Sequence, residues 1–300
     1  MATSTQSPLS QHWNYFLNGA EQAFNWPKTF ILFYSSSTVQ KSMFKALFIN
    51  GIIFLGGVLF LEIFYNAPEH RIFGCSYATI TGFPLYFGTL GINGKFFTPI
   101  AEKAFQLQAK NNPRTTPGST NIVQSMASMI YTVIFYMNCG VFAGLLRSMI
   151  PHVGTLLAFL MNCAIMSYYC FEYKWLYMGW TLEQRMTFME EHWAYFLGFG
   201  TPITVLTFFL STLHSGAVFA ILYPSYVIMA TMATPKPATP YGQPLASGKT
   251  VHPELSAPNK IPLFFGVRKM NDLVIFLAKM VGGVHADSIV SEKQKMTKME

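Results

Sequence analysis

The chain has 300 residues, of which 51% are hydrophobic, 16% aromatic and 11% charged, with a formal net charge of +7. A soluble globular domain usually carries about 25% charged residues, so the composition excludes an ordinary water-soluble domain and indicates a membrane protein. The excess of Lys and Arg fits basic loops beside anionic lipid headgroups. No basic run interleaved with aromatic residues lies outside the C-terminal tail, so nucleic acid is not a predicted partner.

The first predicted element is an amphipathic helix within residues 1–45. Five apolar residues recur at the spacing i, i+3, i+4, i+7 and i+11 and form one stripe: Trp13, Phe16, Leu17, Ala20 and Phe24. Such a helix, with Trp at its start, is typical of a membrane–water interface. The extreme N-terminus has no basic start followed by an apolar core, so the sequence does not predict a signal peptide.

Four apolar runs follow, each about long enough to cross a hydrocarbon core of about 30 Å. They are residues 46–64, 72–94, 126–146 and 153–171. The first contains one charge, Glu62, near its end, where we expect the carboxylate to reach the interface. The second is interrupted by Pro84 and several Gly residues, which let helices approach closely.

The region 193–235 contains no Lys, Arg, Asp or Glu, but Gly and Pro residues break it repeatedly. It predicts either two full spans or a re-entrant helical hairpin with its turn near residues 213–217, LHSGA. The segments between the apolar runs are alternately rich and poor in Lys and Arg. All the richer segments lie on one side of the membrane if region 193–235 returns to the side on which it begins. The positive-inside rule then predicts that both termini are cytosolic.

Together these elements predict an all-α integral membrane protein. It has about four spanning helices, a broken or re-entrant hairpin, and amphipathic surface helices at both ends. The predicted domains are an N-terminal interfacial segment, a helical membrane domain, a Pro/Gly/Ser-rich linker, and a surface helix with a charged tail; their bounds are 1–45, 46–235, 236–262 and 263–300. The expected partners are membrane lipids and, within the membrane, other proteins or further copies of the chain.

Four residues are candidates for a transport pathway or for interfacial anchoring: Lys28, Arg147, His152 and His214. A His side chain in the middle of an apolar run is energetically costly in the membrane unless it is paired or in contact with water. For His214 we favour a position at the turn of the hairpin, facing water. Arg147 and His152 flank the link between the third and fourth runs, where an anchoring role is the more common one.

No signature of catalysis or of metal binding occurs. The chain lacks GxSxG, HExxH and a phosphate-binding Gly loop, and its four Cys residues show no metal-site spacing. We therefore predict a protein that is not an enzyme, with no catalytic residue, no metal and no cofactor.

The stretch YYCFEYKWLYMGW, residues 168–180, follows the fourth run and combines aromatic rings with Glu172 and Lys174. Thr181 then predicts a helix start, with Gln184 three residues later as its reciprocal capping partner. The order of residues in this region resembles the etoposide-induced protein 2.4 family. The resemblance covers about residues 10–280, and the positions that carry its motifs are Cys170, Phe171, Glu172, Tyr173, Lys174, Trp175, Trp193, Gly198, Phe199, Gly200, Pro202 and Pro224.

The resemblance implies long spanning helices combined with half-penetrating hairpins, as in the related bacterial sulfate permeases. It also implies a non-enzymatic protein of the endoplasmic-reticulum membrane that acts in autophagy. Two alternatives remain: a small-anion channel or permease, and an accessory subunit of a large organellar complex, for example in the mitochondrial inner membrane. The chain departs from the family in having few basic residues before the first run, and Lys28 alone stands where the permeases have a basic pair.

Overall fold

The structure is a computed structural model that describes residues 8–65, 71–72, 74–111, 122–149, 152–235 and 261–282. Most of the predicted linker and charged tail lie outside these residues. Ten helices and one short hairpin occur in the described part. The helices are α1 (Pro8–Ala23), α2 (Trp26–Ser35), α3 (Ser37–Phe64), α4 (Tyr77–Asn111), α5 (Ile122–Met149), α6 (Val153–Tyr177), α7 (Leu182–Glu191), α8 (Trp193–Thr207), α9 (Thr212–Met232) and α10 (Phe265–Gly282). Between α3 and α4, strands β1 (Arg71–Ile72) and β2 (Cys75–Ser76) pair antiparallel, Arg71 opposite Ser76.

Three described helices, α3, α6 and α9, are long and apolar enough to cross a membrane. The all-α, membrane-type fold is therefore confirmed, but the count of four spans is not. The predicted run 72–94 begins in the β1–β2 hairpin and lies in α4 from Tyr77 onward, and the run 126–146 lies in α5; the two helices have 35 and 28 residues. These helices continue into polar sequence beyond the runs, and α4 contains Pro84 and Pro99. Both are helical as predicted, while the structure shows membrane-spanning character only for the other three.

One end of the bundle contains the C-terminal halves of α6 and α9 and the N-terminal half of α8. This end is here called the broad end. The Tyr223 hydroxyl of α9 donates to the carbonyl oxygen of Tyr169 in α6 at 2.9 Å. On the other side of α6, the Ser167 hydroxyl donates to the carbonyl oxygen of Phe196 in α8. The short helices α1, α2 and α7 and the C-terminal α10 all pack around this end.

Helix α1 packs closely along α8, and small residues allow the approach. A Cβ on Gly19 would lie within 3.0 Å of the carbonyl oxygen of Tyr195, and one on Gly198 would lie equally close to that of Phe16. The predicted interfacial helix is thus docked on the bundle through Gly19 and the buried Ala23. Much of the predicted apolar stripe stays exposed on the opposite side: Trp13, Leu17 and Phe24.

The opposite end, here called the narrow end, contains the turn between α8 and α9. The chain turns at 208–211, a few residues before the predicted LHSGA, because Ser211 caps α9 by accepting the His214 backbone N–H at 3.5 Å. Helix α8 has 15 residues and spans about 22 Å, whereas α9 has 21 residues and spans about 31 Å. Only α9 of this pair is long enough to cross a membrane.

The C-terminal helix α10 is docked on α5 and α7. The Phe264 side chain, just before the helix, is fully buried beside the rings of Phe135 and Tyr168. The carboxylate of Glu190 in α7 accepts the Phe264 backbone N–H at 3.2 Å and pairs with the Arg268 guanidinium at 3.1 Å. The predicted surface helix is therefore held by the protein on one face, while Phe265, Leu273 and Phe276 are exposed on the other.

Candidate functional site

The family-motif residues form the packing centre of the broad end. Phe171, Trp175 and Phe199 are buried, and the Phe171 ring lies 4.9 Å from that of Phe199 and 5.5 Å from that of Trp175. A Cβ on Gly200 would lie within 3.0 Å of the carbonyl oxygen of Cys163, so this glycine sets the crossing of α8 over α6. Pro202 and Pro224 lie inside α8 and α9. The motif therefore joins three helices through aromatic contacts and one close crossing.

Glu172 faces a cluster of tyrosines rather than an exposed loop. Its Oε2 accepts a hydrogen bond from the Tyr136 hydroxyl of α5 at 2.8 Å. The Tyr136 ring stacks on the Tyr169 ring with centroids 3.8 Å apart. This hydrogen bond joins α5 to α6 and satisfies a carboxyl group that is surrounded by rings.

Lys174 and Lys28 both reach the C-terminal end of α9. The Lys174 ammonium donates to the carbonyl oxygen of Ala233 and lies 5.7 Å from the centroid of the Phe171 ring. The Lys28 ammonium of α2 donates to the carbonyl oxygen of Met232 at 3.5 Å. The last carbonyls of a helix lack intrahelical partners, so the two lysine side chains satisfy acceptors at this end of α9.

Local sequence places α7 beside the motif. The predicted capping box is confirmed: the Gln184 N–H donates to the Thr181 hydroxyl at 3.3 Å, and the Thr181 N–H donates to the Gln184 side chain at 2.9 Å. Arg185 is buried, and its Nε and Nη2 donate to the carbonyl oxygen of Trp180 at 3.0 and 2.8 Å. Because Gly179 has a φ of 72°, the chain can turn sharply between α6 and this capped helix.

His192 lies between α7 and α8, outside the three helices long enough to cross a membrane. Its Nδ1 lies 2.8 Å from the carbonyl oxygen of Phe188, and its ring is 4.2 Å from the Phe188 ring. Burial lowers the pKa of His192 below its ordinary value of 6.5, and the hydrogen bond to Phe188 offsets part of this effect. The ring is therefore held in its neutral form as an Nδ1–H donor.

The four candidate pathway residues do not meet at one site. Lys28 is at the broad end, whereas the Arg147 guanidinium lies at the narrow end, 5.6 Å from the centroid of the Phe208 ring. His152 forms the turn before α6 with a φ of 60°. His214 pairs with the Glu62 carboxylate at 3.1 Å and lies 2.6 Å from the Ser211 hydroxyl, so Glu62 has a protein partner rather than only water.

Trp193, another motif residue, begins α8, and its ring lies 5.0 Å from that of His12 in α1. Cys170 and the half-buried Tyr173 complete the motif stretch on α6. Among the described residues there is no group of three or more His, Cys, Asp or Glu side chains that could hold a metal ion.

Sequence reasoning missed several polar partners. Asn50 of α3 and Asn93 of α4 are buried and exchange two side-chain hydrogen bonds of 2.8 and 3.0 Å. Asn50 also lies in a π-helical stretch, Phe48–Leu55. The sequence signal for this pair was an Asn inside an apolar run, because a buried side-chain amide needs a hydrogen-bond partner. Tyr136 and Arg185 carried no comparable signal.

The fold and this motif define a helical bundle of the membrane type, with a helical hairpin, α8–α9, locked to a longer helix, α6. Residues 25–224 match the family described as Sulfate transporter CysZ/Etoposide-induced protein 2.4. The chain therefore belongs to this family, as its resemblance predicted.

Similar proteins span much of the chain. "Protein EI24 homolog" of Dictyostelium discoideum is 30% identical over 243 residues, covering 77% of this chain and 73% of the relative. "Protein EI24 homolog" of Arabidopsis thaliana is 25% identical, covering 88% and 95%. "Ectopic P granules protein 4" of Caenorhabditis elegans is 26% identical, covering 57% and 54%. No solved structure matches the chain.

Proposed function

We propose that this protein is a non-enzymatic component of the endoplasmic-reticulum membrane that acts in autophagy. The observation that carries the proposal is family membership over residues 25–224. The name of the worm relative refers to P granules at ectopic positions. The aromatic packing centre, with its charged groups already paired, suits a rigid scaffold in the membrane.

The distribution of charge supports an orientation with the broad end in the cytosol. Lys28, Lys41 and Lys45 belong to the first helices of the broad end, where Val39 and Met43 pack with Ile228. Arg71 and Arg147 lie at the narrow end. Because the side richer in Lys and Arg is usually cytosolic, α1 and α10 would both lie on the cytosolic side.

Deletion of the gene in cells of the source organism tests this proposal. We expect an autophagy reporter that is cleaved only after delivery to the lytic compartment to remain uncleaved. The intact protein should restore cleavage, and so should Gly140→Ala, because a Cβ there meets open space. Gly200→Leu, which separates α8 from α6, should not restore it. Normal reporter cleavage in the deletion cells would exclude the autophagy role.

An anion pathway is the second candidate, favoured by the words "Sulfate transporter" in the family description. Lys28 and Arg147 lie at opposite ends, so they could act only in succession along one route and not as one binding site. Sulfate flux into liposomes that falls with both Lys28→Ala and Arg147→Ala would support this function. Flux equal to that of empty liposomes would remove it.

The third candidate, a subunit of a large organellar complex, is tested by native mass after mild detergent extraction. Co-migration of the whole population with one large complex at fixed stoichiometry would favour this candidate over autophagy. A particle containing only copies of this chain would exclude it.

A further inference from the structure

The described helices are distributed unequally between the two ends of the bundle. Four of them, α1, α2, α7 and α10, pack around the broad end. The link from α1 is direct: the Tyr195 hydroxyl donates to the Gln22 side chain at 3.0 Å, which also accepts the Thr234 N–H at 3.1 Å. For α2, the Thr29 hydroxyl donates to the carbonyl oxygen of Ser225 in α9 at 3.4 Å.

The narrow end has no comparable set of additional helices among the described residues. It contains the ends of α3, α5 and α8 and the starts of α4, α6 and α9, as the Glu62–His214 pair and the contact of Arg147 with Phe208 show. The short β1–β2 hairpin is the other described structure there. The cross-section of the described protein is therefore larger at the broad end.

Helices α1 and α2 cannot span a bilayer by themselves. They have 16 and 10 residues and extend about 24 and 15 Å, whereas the hydrocarbon core is about 30 Å thick. Yet both helices expose apolar side chains, as does Phe24 in the link between them: Leu9, Trp13 and Leu17 on α1, and Phe30, Ile31 and Tyr34 on α2. The described residues of α1 and α2 contain one Lys, Lys28, and one Glu, Glu21. Short helices with such surfaces fit the boundary between headgroups and acyl chains of a single leaflet.

We propose that the protein binds preferentially to strongly curved bilayers, with its broad end on the convex side. The partner is a lipid surface in which convex curvature opens the headgroup layer and exposes acyl chains. The apolar faces of α1 and α2 fill these openings, and the wide cross-section of the broad end matches the expanded leaflet. The inference rests on the membrane residence in the proposed function, and it adds a preference for membrane shape.

The test uses the full chain, labelled with a fluorophore and reconstituted into giant vesicles from which thin tubules are pulled. Protein fluorescence relative to a lipid dye is compared between tubule and vesicle. We expect several-fold enrichment in the tubule when the broad end faces outward and depletion when it faces inward. Orientation is read from the exposed Cys75 at the narrow end, which reacts with an impermeant maleimide only when that end faces outward.

Equal density in tubule and vesicle for both orientations would overturn the curvature preference. Failure of membrane residence gives a different result, since the protein would then be removed from the vesicles by an alkaline carbonate wash. The two failures are therefore distinguishable in the same preparation.

A pair of double variants locates the effect. Trp13→Ser with Leu17→Ser removes two exposed apolar side chains from the broad end, and we expect the enrichment to fall towards one. Leu156→Ser with Leu157→Ser removes two from the narrow end and should leave the enrichment unchanged. An equal loss of enrichment in both double variants would contradict the role of α1, because it would indicate that either change weakens the anchoring of the protein in the membrane.

Discussion

At the scale of single residues, the motif places a carboxylate and an ammonium among aromatic rings and gives each a partner from a distant part of the chain. Glu172 receives its hydrogen bond from Tyr136, 36 residues away, and Lys174 donates to Ala233, 59 residues away. The sequence indicated that both charges matter but could not identify these partners, because neither lies within reach along a helix.

Removing the Tyr136 hydroxyl, which donates a hydrogen bond to Glu172, should lower the stability of the fold. Tyr136→Phe leaves the carboxylate without this donor, and we expect a loss of about 1–3 kcal/mol in the free energy of unfolding. Thermal unfolding in mild detergent measures it, with the exposed Tyr34→Phe as the matched control. In a Glu172→Gln background the same change should cost less, since a neutral amide is less costly to leave unpaired. An unchanged midpoint in Tyr136→Phe would contradict this role.

The buried His192 predicts a pH dependence. Because its pKa is lowered in the folded state, the unfolded chain takes up a proton at higher pH than the folded protein does. Stability should therefore be fully present above the ordinary value of 6.5 and should decline as the pH falls below it. His192→Gln should show a smaller difference in unfolding midpoint between pH 7.5 and pH 5.5 than the unmodified protein. Equal differences would show that His192 is not the titrating group.

At the scale of elements, close helix crossings organise the bundle. Gly198 and Gly200 set the approach of α1 and α6 to α8. We expect Gly198→Ala to lower the unfolding midpoint by several degrees, because the backbones must separate and the surrounding contacts loosen. Gly140→Ala is the matched control, since a Cβ there meets nothing within 4 Å. Equal midpoints for the two variants would contradict the close crossing of α1 over α8.

The docking of α10 depends on the Arg268 guanidinium, which pairs with Glu190 and with Glu183 at 2.6 Å. Arg268→Ala removes this guanidinium from the buried Glu190 carboxylate, a loss of about 3 kcal/mol for a pair of this kind. We expect α10 to become susceptible to limited proteolysis while the rest of the bundle stays protected. Arg268→Lys, which keeps the charge, is the control. Identical digestion of Arg268→Ala and the unmodified protein would show that α10 is held without this pair.

Elements fixed by local signals could be predicted from sequence, and those fixed by distant contacts could not. The capping box of Thr181 and Gln184 depends on residues three apart and was predicted correctly. The turn after α8 was placed a few residues too late, because the capping role of Ser211 went unrecognised. The docking of α10 depends on Glu190, 78 residues before Arg268, so an amphipathic pattern alone indicated only a surface helix.

At the scale of the whole molecule, the protein is a membrane-type bundle with two unlike ends. The broad end carries the motif, the basic residues of α2 and α3, and the short amphipathic helices. The narrow end carries the β1–β2 hairpin and the turn between α8 and α9. The positive-inside rule assigns the broad end to the cytosol, so the convex leaflet of the proposed curvature preference would be the cytosolic leaflet in the cell.

The labelling of Cys75 tests this claim most directly. Cys75 is exposed at the narrow end, while Cys139, Cys163 and Cys170 are buried. Sealed endoplasmic-reticulum vesicles from cells of the source organism are treated with an impermeant maleimide before and after permeabilisation, with Cys75→Ser as the control. We predict a carbonate-resistant protein that is labelled only after permeabilisation. Labelling of Cys75 in intact, sealed vesicles would place the narrow end in the cytosol and contradict it.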